Sequence, residues 1–368
     1  MKTVVLTDGK YRSSIAAARA LGRAGYRVVV TQTRDDVREA PPVFSSVFAT
    51  GVWIPGSVKD PEYPERLAAV LRQYEKPVLF PVGAATLASV AAGSERFSAL
   101  ADFIVPEPDV LDQLNDKEAV HDRAQSLGIP VPREYDGTPD KFPVIIKPRC
   151  GEKLGLKAAD RYTAAANADE FEKKYAKMKE YDPSPLVQEK IDGDGRGASL
   201  LIGRDGELIS AICHRRLREY PASGGPSTCC VTEYDEVLID TAYRLLSSFG
   251  FRGIAMVEFK GDRVLEVNPR VWGTFPLTVF AGSRFCENYV RAAAGEQVEY
   301  IPADYEVGKK MRFFVNDLAA SADLIRHGRI RAGFSGLLDV FRVGEALKDK
   351  EDRTAYKKYI RSYFKKQS

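Results

Sequence analysis

Residues 253–273 read GIAMVEFKGDRVLEVNPRVWG, and no other stretch limits the fold of this chain so tightly. Two apolar runs, 254–257 and 264–267, flank Lys260-Gly261-Asp262, which is turn chemistry between paired strands. Side chains alternate along a strand, so Glu266 and Asn268 share one face of the second strand while Glu258 ends the first. Two carboxylates and an amide oxygen then converge, with Arg270 close behind. Oxygen donors of this kind suit Mg²⁺, with Mn²⁺ as a substitute, because such an ion takes one or two carboxylates and leaves its other positions to water and substrate phosphates. Taken alone, Glu-x-Asn describes an amphipathic hairpin with a solvated acidic face just as well.

The chain opens on a buried strand at 2–7, an alanine-rich helix at 13–24 stopped by Gly25, and a second strand at 26–31. That β-α-β pattern predicts a parallel sheet with helices on both faces. Units at 52–54, 64–74, 77–81, 84–92 and 103–105 extend the lobe, and Pro106-Glu107-Pro108 ends it. Thr7-Asp8-Gly9-Lys10 lacks a G-x-G-x-x-G fingerprint, so the lobe reads as structural, with one edge on the active site. Residues 109–127 read as one helix. A strand at 142–147 ends in Lys147 and runs into a basic loop holding Gly151 and Gly155. Glycines let backbone N–H groups approach anionic oxygens and lysines supply charge, so this loop reads as a phosphate lid.

A helix at 168–179 and a strand at 186–191 follow, the latter carrying Gln188, Glu189, Lys190 and Ile191. Residues 192–197, with Asp194 among them, read as a hinge before the sheet resumes at 198–202. A strand at 208–214 leads into Arg216 and Arg218. Alternation sets both arginines on the face of His214, towards Arg270, where a planar guanidinium can grip a carboxylate or phosphate bidentately. Without its neighbours the same segment is equally a solvated basic strand end. The tail at 356–366 reads as a solvated amphipathic helix.

Composition removes several classes of function. The 368 residues suffice for two or three packed units, and 44% hydrophobic with 29% charged residues is an ordinary globular mix. A net charge of +3 is too near zero to predict a nucleic-acid partner. No run approaches the roughly 18 apolar residues of a membrane span, and the first residues turn polar too early for a signal peptide, so a cytoplasmic enzyme is expected. Five scattered cysteines without C-x-x-C spacing suggest neither a disulfide framework nor zinc.

The order of these parts resembles the ATP-grasp superfamily along about residues 1–300, and within it the branch similar to carbamoyl-phosphate synthase and predicted carboxylate-amine ligases. The resemblance implies an α/β fold with a Rossmann-like pre-ATP-grasp lobe at 1–108, an α+β lid subdomain at 109–190, an antiparallel core at 191–300 and an extension at 301–368. It implies ATP and Mg²⁺ as cofactors. Lys117 and Lys147 would contact the phosphates, Gly151 to Gly155 would close over them, the backbone of Glu189 and Ile191 would hold the adenine edge, and Asp194 would reach the ribose. Glu258, Glu266 and Asn268 would bind the metal, and Arg270 would stabilise the transferring phosphoryl group. The sequence departs from the pattern at Gln188, where many members have Glu.

The activity implied is attack of a substrate carboxylate on the γ-phosphate, giving an acylphosphate that an amine opens. The partners are then a small carboxylic acid and an amine, with a homodimer left open. A carboxylase or carbamoyl-phosphate-type enzyme and a non-catalytic nucleotide sensor are the competing readings.

Overall fold

The computed structural model describes residues 1–149, 156, 162–221 and 225–365. The first lobe is a four-stranded parallel sheet built from β1 (Thr3–Leu6), α1 (Arg12–Arg23), β2 (Arg27–Thr33), β3 (Thr50–Ile54), α2 (Tyr63–Leu71), β4 (Val78–Phe80), α3 (Ala84–Ala92) and α4 (Ser94–Ser98). Its order is β3-β2-β1-β4, and valines and leucines fill both faces of β1, as expected where helices cover both sides. Residues 103–105, expected as a strand, form none; a single bridge to Val78 comes from Asp102 just before them.

The helix expected at 109–127 is two helices, α5 (Pro108–Asn115) and α6 (Lys117–Ser126). Asp116 is the cause: its backbone is extended and its carboxylate accepts from the N–H groups of Glu118 and Ala119, capping a new helix. The break makes Lys117 the first residue of α6. Both helices pack by Val110, Leu114, Val120 and Ala124 into the same cluster as strands of the large sheet, so 109–131 is joined to the core rather than to the lid subdomain.

A small antiparallel sheet follows, β5 (Val144–Lys147), β6 (Thr163–Ala165) and β7 (Leu186–Glu189) in the order β6-β5-β7, covered by α7 (Ala168–Lys179). Its apolar cluster of Val144, Ile146, Ala165, Phe171, Met178 and Val187 is its own.

The large sheet has seven strands in the order β12-β11-β8-β9-β10-β13-β14. Its members are β8 (Gly195–Ile202), β9 (Leu208–Glu219), β10 (Ser227–Glu233), β11 (Gly253–Lys260), β12 (Arg263–Asn268), β13 (Lys310–Arg312) and β14 (Gly344–Glu345). Pairing starts at Gly195, where the sequence suggested a hinge, because Gly195 and Arg196 find partners in Lys260 and Phe259. α8 (Glu236–Ser248) covers one face, while α9 (Phe275–Phe280) and α10 (Phe285–Ala293) pack between the other face and the first lobe. α11 (Phe314–Arg326) and α12 (Ile330–Leu338) form a hairpin beside β9 and β10. Since β13 and β14 belong to this sheet, the segment after residue 300 completes the core.

The tail, α13 (Arg353–Lys365), is not solvated along its length. Tyr359 is buried in the cluster that holds Leu21 and Val43 of the first lobe, and Tyr356, Ile360 and Tyr363 pack against it. Just before it, Asp352 accepts from Arg19 Nε at 2.8 Å and from Ser46 Oγ at 2.7 Å. Sequence periodicity showed the amphipathic pattern and could not show that a partner surface lay within the chain.

A second buried ion network ties α11 to the sheet. Asp317 accepts from Arg218 Nε and Nη2, both at 2.8 Å, and from Thr228 Oγ1 at 3.0 Å, with Arg312 Nε at 3.5 Å. Removing one member leaves buried guanidinium groups without their counter-charge, a loss worth about 3–5 kcal/mol. Asp317→Ala is therefore expected to destabilise the chain by that amount in chemical denaturation, and an unchanged midpoint would show that the network is dispensable.

Candidate active site

The face of the large sheet that looks towards the first lobe changes character along its length. At one end Ile209, Ile212, Ile254 and Met256 join the apolar core. At the other end the same alternation puts His214, Arg216, Glu258, Glu266 and Asn268 on that face. Glu258 and Glu266 stand directly opposite in the β11–β12 ladder, and Met256 stands opposite Asn268. The hairpin expected from the sequence is present, turned at Gly261, whose φ of 60° suits glycine.

Like charges facing each other across a ladder are destabilising unless something neutralises them. Here cations converge from three elements. Lys117 Nζ lies 3.4 Å from Glu266 Oε2, and Arg216 Nη2 donates to Glu258 Oε2 at 2.5 Å. Lys147, at the end of β5 in the small sheet, donates to Leu265 O at 3.5 Å. Asn268 Nδ2 donates to Glu258 Oε1 at 3.2 Å, and Arg270 Nη2 donates to Asn268 Oδ1 at 2.9 Å.

Both acids sit deep in a cleft yet keep some exposure, 16% for Glu258 and 35% for Glu266. Burial lifts both carboxyls, and the balance then differs. Glu258 stays above the usual carboxylate range, because burial and the repulsion of Glu266 outweigh Arg216. Glu266 falls below it, because Lys117, Lys147 and Arg216 together overcome burial. Lys147 is brought down to about 8 by burial and by the nearby charge of Lys117. Burial, with Arg216 nearby, pushes His214 down to about 3, so this imidazole is neutral and serves as a packing group, its Nε2 3.2 Å from Thr274 Oγ1.

Two carboxylates and one amide oxygen form a hard, oxygen-only donor set of the kind Mg²⁺ takes. Among the described residues no group of three or more His, Cys, Asp or Glu could hold a metal by itself. Three oxygen donors fall short of a full shell, so an ion held here would take its remaining ligands from water or a bound phosphate.

The other expected residues fall in several places. Arg216 and Arg218 do not share a face. Register runs from Cys229 opposite Arg218 to Cys230 opposite Arg216, so Leu217 is an extra residue on β9, and this bulge turns Arg218 away to Asp317 and Asp339. Its guanidinium is filled by the chain's own carboxylates, and the expectation that Arg218 anchors a substrate is corrected on that ground. Asp194 points to Arg215, accepting from its Nη1 at 3.0 Å. Glu189 N–H donates to Arg133 O, and Lys190 N–H donates to Pro143 O. Ile191 is half-buried just beyond β7. Gly151 and Gly155 lie outside the described residues.

Gln188 belongs to a network that sequence reasoning missed. Its Nε2 donates to Glu134 Oε1 at 2.7 Å and lies 2.8 Å from His121 Nδ1. His121 Nδ1 lies 2.6 Å from Glu134 Oε1, and its Nε2 is 3.0 Å from Leu265 O, the carbonyl that Lys147 also reaches. Burial lifts Glu134, but the hydrogen bonds of His121 and Gln188 bring it below the ordinary carboxylate range. The three side chains thus buttress the residue next to Glu266. The signal in the sequence was Gln188 itself, noted above as a departure from the resemblance, and nothing there connected it to Glu134.

Comparison with known proteins bears on the fold that carries these residues. A family model described as ATP-grasp in the biosynthetic pathway with Ter operon matches residues 182–312, which run from just before β7 through β13. No curated protein matches the chain by sequence. Among solved structures, the biotin carboxylase domain dimer of Hydrogenobacter thermophilus 2-oxoglutarate carboxylase, in complex with MgADP, ADP and bicarbonate, superposes with a TM-score of 0.64 at 15% identity, over 84% of this chain and 73% of that one. Campylobacter jejuni biotin carboxylase in a β,γ-ATP complex gives 0.64 at 15% identity, over 84% and 74%. Staphylococcus aureus N5-carboxyaminoimidazole synthetase complexed with ADP gives 0.61 at 14% identity, over 84% and 80%. At these identities the likeness is one of fold. The parallel-sheet lobe, the small antiparallel sheet and the large antiparallel sheet described above together form the ATP-grasp fold.

Proposed function

We propose that the chain is an ATP-dependent ligase that activates a substrate carboxylate as an acylphosphate and joins it to an amine, releasing ADP and phosphate. The observation that carries this reading is the opposed pair Glu258 and Glu266, with Asn268, ringed by Lys117, Lys147, Arg216 and Arg270. Phosphoryl transfer asks a protein mainly for positioning and charge neutralisation, and these residues supply both. Lys117 and Lys147 face the position of the nucleotide phosphates, and Glu258, Glu266 and Asn268 would hold Mg²⁺. Bound there, the ion would neutralise charge on the bridging phosphate oxygens. Arg270 stands behind Asn268 to receive charge on the transferred group. The substrate carboxylate oxygen attacks the γ-phosphorus as the bond to ADP breaks, and the amine nitrogen then displaces phosphate from the acyl carbon. None of this requires a protein nucleophile.

Arg216 is our candidate anchor for the acid: its Nη1 and Nη2 donate to Glu219 and Glu258, but its buried Nε has no hydrogen-bond partner among the described residues, and the bulge has removed Arg218 from the face. Arg216→Ala is expected to lower kcat/KM for the acid by about 10²-fold with nucleotide affinity nearly unchanged. Loss of nucleotide affinity instead would assign Arg216 to the triphosphate.

An unbiased screen of amino acids and other amines against carboxylic acids, read as Mg²⁺-dependent ADP release, tests the function itself. Bicarbonate belongs among the acids, because one structural neighbour is recorded with MgADP and bicarbonate. Bicarbonate-dependent turnover without an amine would favour the carboxylase reading. Nucleotide binding without turnover under any pair would overturn the ligase reading.

A further inference from the structure

The α11–α12 hairpin is packed with its small residues inward. A Cβ at Gly333 would meet Ile325 Cγ1 at 2.4 Å and Ser321 O at 2.7 Å, and one at Gly336 would meet Ser321 Oγ at 2.3 Å. α12 therefore lies on α11 at backbone distance, and its large apolar residues point outward. Ile330, Phe334 and Leu338 form an i, i+4, i+8 row that Phe341 continues on the following turn, and they are 55, 56, 52 and 88% exposed. With Val340 this is roughly 500 Å² of apolar surface, near the upper end for the largest patch on a monomer.

Two features indicate what covers it. A row at four-residue spacing is a ridge that packs into the grooves beside an identical ridge. A two-fold axis at its middle residue, Phe334, runs the two helices antiparallel and brings the Ile330 end of one row to the Leu338 end of the other. The charges suit the same arrangement. Arg326, Arg329 and Arg331 crowd the N-terminal end of α12, where the helix dipole is positive, while the last carbonyls of the helix lie at its C-terminal end. An antiparallel copy sets each arginine group against the negative end of the other helix, and Arg342 falls in the rim. An apolar centre of roughly 500 Å² per copy leaves a polar rim to complete the roughly 800 Å² per partner of a standard interface.

We propose that this ridge is the surface through which two copies of the chain pair. It stands behind the Asp317–Arg218 bridge, because a Cβ at Gly336 would also lie 3.2 Å from Arg218 Cδ.

Sedimentation velocity of the full chain from about 1 to about 100 µM is expected to show a concentration-dependent dimer. The Phe334→Asp, Leu338→Asp double variant is expected to sediment as a monomer throughout, with unchanged circular dichroism. Under mild oxidation Phe334→Cys is expected to give a disulfide-linked dimer, because the axis brings the two thiols together, whereas Val237→Cys, on an exposed helix surface elsewhere, is not. A wild type that stays monomeric, a double variant that dimerises like the wild type, or equal cross-linking at the two cysteines would overturn the proposal. A monomer whose ridge binds phosphatidylglycerol vesicles would give the face to lipid and overturn it as well.

Discussion

Glu266→Gln is expected to lower ADP formation by on the order of 10³-fold while leaving the chain folded. Glu266 faces Glu258 across the ladder, so neutralising it removes a repulsion as well as an attraction to Lys117 and Lys147. The two changes oppose each other in stability, and the midpoint of unfolding should move little. They do not oppose each other in turnover, since a Mg²⁺ ion held as proposed would lose one of two carboxylates and Lys147 loses a counter-charge. ADP release and thermal unfolding measured on the same preparation separate the two. Wild-type turnover in Glu266→Gln would remove the hairpin from the mechanism.

The second large effect is a pH dependence with opposite signs in binding and stability. Lys147 titrates near 8 in the fold, against 10.5 for an ordinary lysine, because it is buried and lies near Lys117. Between those values the unfolded chain holds a proton that the native chain lacks, so the stability contributed by this site rises with pH across the window and is lost as pH falls through about 8. Affinity for phosphate runs the other way, since only the ammonium form attracts it. Binding of a non-hydrolysable ATP analogue is therefore expected to weaken from pH 7 to about pH 9.5. Lys147→Met should bind roughly 10- to 100-fold more weakly at pH 7 and lose most of that dependence. An affinity in the wild type that is flat over the same range would show that Lys147 does not touch the phosphates.

What the sequence made legible was local. The β11–β12 hairpin could be read because two apolar runs and a glycine turn fix its register, and register fixes which side chains share a face. The β-α-β opening could be read for the same reason. The face of Arg218 could not, because one extra residue at Leu217 reverses the alternation and nothing in Arg-Arg-Leu-Arg announces a bulge. The split at Asp116 was readable in principle, as an Asp two residues before a Glu, but hydrophobic periodicity runs through it. His121 and Glu134 were invisible because His121 reaches Leu265 O, a backbone atom in a distant strand, and Glu134 meets Gln188 from a separate segment. The docking of α13 depends on Ser45, Ser46 and Arg19 meeting residues more than three hundred positions later, which periodicity does not encode.

That last contact has a mechanical consequence. With Arg19 bonded to Asp352 and Lys358 Nζ donating to Ser45 Oγ, the end of the chain is strapped back onto its beginning, across the boundary between the parallel lobe and the large sheet. Those two parts then behave as a single anvil. The small sheet has a separate apolar cluster and reaches the anvil through polar contacts such as Gln188 to His121 and Lys147 to Leu265. Polar contacts can be exchanged for water at lower cost than the apolar packing of Tyr359, which holds the strap to the first lobe. Opening and closing of the cleft thus falls to one moving jaw, and a distance probe between α7 and α8 should change with nucleotide while one between α1 and α8 stays fixed.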